Sequence, residues 1–269
     1  MSDRKEATAN RLPRVTDARL DAKPSRRQAL AGLSGLVLSG ASAAALAQKA
    51  APRKGPAGVD LLLVLAVDAS GSVSEDRFTL QRQGYAKAFR NPRVLRSIRS
   101  GMLGAIGVTM VQWTGPDLHV VVVPWTRVDS KASLDALAAK IDNSPRELFG
   151  GGTSISGVID YSRTLLDAAP WKAARRVIDI SGDGYNSSGR FVQSARDDAV
   201  KAGIVINGLP ILSLAPDLDR HFAKDVIGGM GAFSIPSPSY EKFAEAIQRK
   251  LILEIASQDT NKKYYKSVL

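Results

Sequence analysis

The 269-residue chain has no cysteine and only two histidines, His119 and His221. The first absence removes disulfides, thiolate metal ligands and cysteine nucleophiles together. The second leaves no means of building a multi-histidine zinc centre. Enzyme signatures are missing as well. Gly150-Gly151-Gly152-Thr153-Ser154 is glycine-rich but lacks the Gly-Lys-Ser/Thr ending of a phosphate loop. No G-x-G-x-x-G follows a strand pattern, and no G-x-S-x-G elbow surrounds Ser70 or Ser72. With His119 placed mid-strand and His221 on a helix away from the hydroxyl-rich segments, no base is on hand for a serine hydrolase. Catalysis is not expected.

What is present begins with positive charge. The net charge is +11, and the first 47 residues hold 8 Lys and Arg against 4 Asp and Glu, which leaves +7 on the remainder. That excess reads as an ordinary basic surface. Arg90, Arg93, Arg96 and Arg99 recur every three residues. No aromatics interleave with them, so they read as a solvated helical stripe and not as a nucleic-acid groove.

The first 47 residues look like an address. Residues 1–24 are polar, Arg26-Arg27 follows, and the 19 residues Ala29–Ala47 carry no charge and end in Ala45-Leu46-Ala47. A basic region, an apolar region and an A-x-A site describe an export signal. The paired arginines point to the twin-arginine route, with the general secretory route as the alternative. Nineteen uncharged residues also reach the length of a membrane span, so an uncleaved anchor is the rival reading. Gly32, Gly35 and Gly40 weaken it. The expected product is periplasmic or secreted, with 48–58 as a linker, a folded domain over 59–257 and a tail over 258–269.

Within that domain, Val59–Val67 reads as a strand and Glu75–Phe89 as a helix. Strands follow at Ala105–Trp113 and Leu118–Val123, joined by Gly115-Pro116-Asp117. Ser130 caps a helix Lys131–Ile141, and Ile155–Leu166 is another. Then come a strand Arg176–Ile180, a helix Phe191–Lys201, a strand Ile204–Leu209, a helix Asp217–Val226, a short strand Ala232–Ile235 and a helix Tyr240–Ile255. Strands alternating with helices after one hairpin predict an α/β fold: a doubly wound, mostly parallel sheet with one antiparallel edge hairpin and helices on both faces. Ligands of such sheets bind beyond the carboxyl ends of the strands.

Three segments fall at that rim: Asp68-Ala69-Ser70-Gly71-Ser72, Gly152-Thr153-Ser154 and Gly182-Asp183-Gly184. Taken singly each has a bland reading, with Ser70 and Ser72 as helix caps, Thr153 as a helix opener and Asp183 as a turn residue. Taken together they offer hydroxyl and carboxylate oxygens suited to Mg²⁺. Asp179, inside a strand, reads as a partly buried carboxylate with a local hydrogen bond. Trp113 and Trp125 read as core.

D-x-S-x-S followed by a distant Thr and a distant Asp resembles the metal-ion-dependent adhesion site of von Willebrand factor A domains. Asp68, Ser70, Ser72, Thr153 and Asp183 match its five positions in order. The phrases "LQRQGYAKAFRNPRVLRSIRSG", "VIDISGDGYNSSG", "AGIVINGLPI" and "FAEAIQRKLILEIA" are similar to the bacterial domain-of-unknown-function 1194 branch of that superfamily. The resemblance implies a binding module that holds Mg²⁺ (or Mn²⁺) through those five residues and docks a protein partner presenting Asp or Glu. A metal-assisted hydrolase acting on cell-envelope material is the alternative, and a domain that kept the motif but lost the metal is a third.

Overall fold

A computed structural model describes residues 58–256. The export signal, the tail and all but the last residue of the linker lie outside these residues. Five strands, β1 (Gly58–Asp68), β2 (Ile106–Trp113), β3 (His119–Val128), β4 (Lys172–Gly182) and β5 (Val205–Pro210), form one sheet in the order β3-β2-β1-β4-β5. β1 runs parallel to β2 and β4, β4 parallel to β5, and only β2 and β3 are antiparallel. This is the expected architecture.

The central run of β1, Leu61–Val67, is wholly apolar because both of its faces are covered. Leu61, Leu63, Leu65 and Val67 enter one core, and Leu62, Val64 and Ala66 the other. The first core is roofed by α1 (Glu75–Phe89), α2 (Pro92–Arg99), α3 (Lys131–Asp142) and α7 (Phe243–Ala256). The second is roofed by α4 (Ile155–Asp167), α5 (Val192–Lys201) and α6 (Leu218–His221). α1 and α7 pack closely at Gly84, where an added Cβ would lie 2.6 Å from the Phe243 ring. Among the described residues no helix is long and apolar enough to cross a membrane.

Several local expectations are corrected. β3 does not stop before Pro124. The ladder steps from Met110↔Val123 to Val108↔Thr126, so Pro124 and Trp125 bulge out at the sheet edge, where a missing N–H does least harm. His119 therefore opens β3 instead of sitting mid-strand, and its ring stacks on Tyr161 at 4.7 Å. Ala232–Ile235 is not a strand: only a single bridge, Gly208↔Ser234, forms beside the turn glycines Gly229 and Gly231. The helix expected over Asp217–Val226 is α6 continued by a π-helical turn, Phe222–Val226. α7 begins at Phe243, which leaves Tyr240 in the loop before it. Asp179 is fully buried and ion-paired, not partly buried with a local hydrogen bond, for Lys250 Nζ reaches it at 2.5 Å.

Candidate metal centre

The parallel register brings the carboxyl ends of β1, β2 and β4 to one rim. Asp68 lies opposite Trp113, and Val67 opposite Ser181. The chain leaving β1 must turn at once into α1, and the side chain of Ser74 caps that helix by accepting from Arg77 N. Ser70 and Ser72 are thus not the caps. Likewise α4 is capped by Ser154, which accepts from Gly157 N at 3.1 Å, and Thr153 is left outside the helix. In both loops capping falls to a neighbour, so the sequence-predicted residues keep their hydroxyls for another use.

Four of the five predicted residues, Asp68, Ser70, Ser72 and Asp183, are joined by hydrogen bonds, and Thr153 stands beside Gly184, next to Asp183 in the chain. Asp68 is fully buried; its Oδ1 accepts from Ser70 N at 2.8 Å and its Oδ2 from Asp183 N at 3.4 Å. The Ser70 and Ser72 hydroxyls are 3.2 Å apart, and Ser72 Oγ donates to Asp183 Oδ1 at 2.5 Å. A Cβ at Gly182 would lie 3.0 Å from Asp68 Oδ2, and one at Gly184 would lie 3.3 Å from Thr153 Oγ1. The two glycines thus make room for side chains of other loops. Gly71 N donates to Gly151 O at 3.3 Å and ties the first loop to the second. Gly150 and Gly151 take φ values of 80° and 89°, a left-handed backbone that favours glycine.

Burial pushes the Asp68 carboxyl up to about 7, opposed by the Ser70 hydrogen bonds and reinforced by the charge of Asp183. Burial also raises the Tyr240 phenol well above its ordinary value, helped by Asp183 beside it. Tyr240 Oη donates to Asp183 Oδ2 at 2.8 Å, and Arg77 Nη1 lies 3.9 Å from the same oxygen. Neither was anticipated from sequence. Tyr240 is 57 residues from Asp183 along the chain, and nothing local to either residue marks the pair.

These residues fit a hard divalent cation. Two carboxylates and three hydroxyls are all oxygen donors, a set that suits hard cations such as Mg²⁺ and Mn²⁺. Among the described residues no group of three or more His, Cys, Asp and Glu side chains gathers, so an ion here would rest on hydroxyls as much as on charge. His221, expected far from the rim, stands near it: its ring centroid is 5.1 Å from that of Tyr185, two residues past Asp183. Its Nδ1 is engaged with Asp225 Oδ2 at 3.0 Å.

A five-stranded sheet in this order with the three loops at one rim is the fold of a von Willebrand factor A domain. Solved structures bear this out at the level of fold. Proximal thread matrix protein 1 of the mussel byssus, with a zinc-occupied MIDAS motif, is similar with a TM-score of 0.52 at 16% identity over 75% of this chain and 47% of that one. A von Willebrand factor type A protein from Catenulispora acidiphila gives 0.51 at 14% identity over 73% and 43%. The pilus adhesin SpaC from Lactobacillus rhamnosus GG gives 0.50 at 16% identity over 74% and 31%. The match therefore spans less than half of each of these longer chains. No curated protein matches this chain in sequence. The chain belongs to the family described as "Protein of unknown function (DUF1194)", which matches residues 58–259.

Proposed function

We propose that the protein is an exported binding module that holds a divalent cation, Mg²⁺ or Mn²⁺, with Asp68, Ser70, Ser72, Thr153 and Asp183, and docks an acidic protein partner there. One observation carries the reading: loops far apart in sequence bring Asp68, Ser70, Ser72 and Asp183 into hydrogen-bond contact with Thr153 beside Gly184, and helix capping falls to the neighbours Ser74 and Ser154. A bound cation would supply an electrophilic centre for an outside carboxylate. Asp68 and Asp183 would balance the ion's charge and, with Ser70, Ser72 and Thr153, would supply five oxygens, which leaves one position of an octahedron for a partner's carboxylate. Arg77, 32% exposed beside Asp183, adds a further positive group on the same rim and favours an Asp or Glu on the partner. The mussel protein's zinc-occupied motif supports the choice of a divalent metal. Export to the periplasm or beyond, by the twin-arginine signal over 1–47, is part of the same proposal.

We favour binding over catalysis because, among the described residues, no hydrogen bond links His119 or His221 to any of the five rim side chains. The test is a metal titration followed by calorimetry and by melting. At a hundredfold excess over Kd, Mg²⁺ or Mn²⁺ stabilises a single-site binder by about 2.7 kcal/mol, roughly 5–10 °C in Tm for a domain of this size. Asp68→Asn is expected to abolish that rise and keep the fold. A wild-type melting curve that neither ion moves would sink the proposal.

A further inference from the structure

The loop from Asp68 to Val73 is notable for where its carbonyl oxygens go. Asp68 O accepts from Gln81 Nε2 at 3.2 Å and Ser70 O from Val73 N at 3.0 Å. Ser72 O accepts from Arg77 Nη1 at 2.8 Å. Ala69 O and Val73 O both accept from Arg146 Nη2, at 3.2 and 2.7 Å. Five of the loop's six main-chain oxygens, those of Asp68, Ala69, Ser70, Ser72 and Val73, thereby accept hydrogen bonds within the chain. What the loop presents to the Asp183 side is the Asp68 carboxylate and the two serine hydroxyls.

Arg146 is built for this task. Its side chain is 7% exposed, and its guanidinium lies 5.6 Å from the Phe78 ring centroid and 5.1 Å from that of Phe149. Its Nε donates to Leu148 O at 2.9 Å, and Glu75 Oε2 lies 3.6 Å from Nη1. Gln112 on β2 anchors the segment that carries it: Gln112 Nε2 donates to Pro145 O at 2.7 Å, and its Oε1 accepts from Glu147 N at 2.8 Å. A planar fork with several fixed donors can hold two carbonyls at once, which a lysine ammonium on a flexible stem does less well.

We infer that Arg146 and Arg77 determine which cation the site accepts, by keeping the carbonyl oxygens of Ala69, Ser72 and Val73 out of its reach. The inference rests on the metal reading above. Ca²⁺ takes six to eight oxygens at about 2.3–2.6 Å and draws freely on backbone carbonyls. Mg²⁺ takes six at about 2.0–2.1 Å and keeps several waters. A loop reduced to side-chain oxygens suits the smaller ion. A loop whose carbonyls are free to turn inward gains ligands that favour the larger one. Arg146 and Arg77 are thus positioning residues that act through the main chain.

The experiment is calorimetric titration of the full chain with Mg²⁺ and, separately, with Ca²⁺, below the measured Tm of each variant. Wild type is expected to prefer Mg²⁺. Arg146→Met is expected to weaken Mg²⁺ by about 10- to 100-fold, the range for residues that orient metal ligands, and to narrow the preference over Ca²⁺ by roughly tenfold. Arg146→Lys should fall between, and Arg77→Gln should move the ratio in the same direction by less. If Arg146→Met fails to fold, Arg146→Lys and the partly exposed Arg77→Gln carry the test. Equal losses for both ions, or no change in either, would overturn the inference, because a merely structural role leaves the ratio alone. A wild type that binds neither ion overturns the metal reading itself and this inference with it.

Discussion

Asp179 and Asp183 stand four residues apart on and just past β4, both buried, and are balanced in opposite ways. Asp179 has a built-in cation. Lys250 of α7, itself fully buried, lies 2.5 Å from it and 3.5 Å from Glu254, whose Oε1 accepts from Asn207 Nδ2 at 2.7 Å. Asp183 has a serine and a tyrosine as its donors, with Arg77 no nearer than 3.9 Å. Removing a charge from water is costly unless a partner and hydrogen bonds offset it. The closed cluster has its cation within the chain; in the proposed reading the rim cluster would take its cation from outside.

The comparison breaks most sharply at Lys250. Lys250→Met leaves Asp179 and Glu254 facing each other without their cation, and a loss of about 3–5 kcal/mol in urea unfolding is expected. A loss under 1 kcal/mol would mean that the closed cluster is not balanced by Lys250 at all.

A smaller effect separates the clusters by pH. Burial, reinforced by the nearby Glu254 charge and opposed by Lys250, holds the Asp179 carboxyl up at about 7. Its folded value thus lies above the unfolded one, and the folded state keeps a proton that the unfolded chain releases. Stability from this group is present in acid and is lost as pH rises toward about 7, by at most about 1.4 kcal/mol per pH unit. Asp179→Asn is expected to remove that share of the slope and to leave the share owed to Asp68. Urea titrations at pH 5, 6, 7 and 8 check this; an unchanged slope would show that Asp179 does not titrate in this range.

The smallest effect is expected at Tyr240. Tyr240→Phe removes one hydrogen bond to Asp183 and leaves the ring, so about 0.5–1.5 kcal/mol should be lost without metal. The loss should shrink when Mg²⁺ is present, since the ion takes over the charge that the phenol steadies. An equal loss with and without Mg²⁺ would detach Tyr240 from the metal centre.

Much of this was legible in one dimension. The Val and Leu run of β1, the period of α1 and the cap Ser130 act over a few residues, where local geometry decides. The motif was readable for the same reason: D-x-S-x-S sits on one loop, and the fold class places Thr153 and Asp183 on its rim. Where expectation failed, the cause was long-range. Pro124 reads as a strand end, yet a bulge at the sheet edge absorbs it. Ala232–Ile235 looks like a strand but finds only one bridge beside β5.

The sequence by itself determined the sheet order's parallel character, the two cores that sandwich β1 and the five oxygen-bearing residues, because hydrophobic period and turn chemistry are local properties. Only the tertiary structure decided which buried charges are answered from within. Lys250 meets Asp179 across 71 residues, Tyr240 meets Asp183 across 57, and Arg146 reaches Ala69 across 77. Partners so far apart share no pattern in the chain. They are set by the packing of α7 and the α3–α4 loop against the sheet, where desolvation makes each pairing matter.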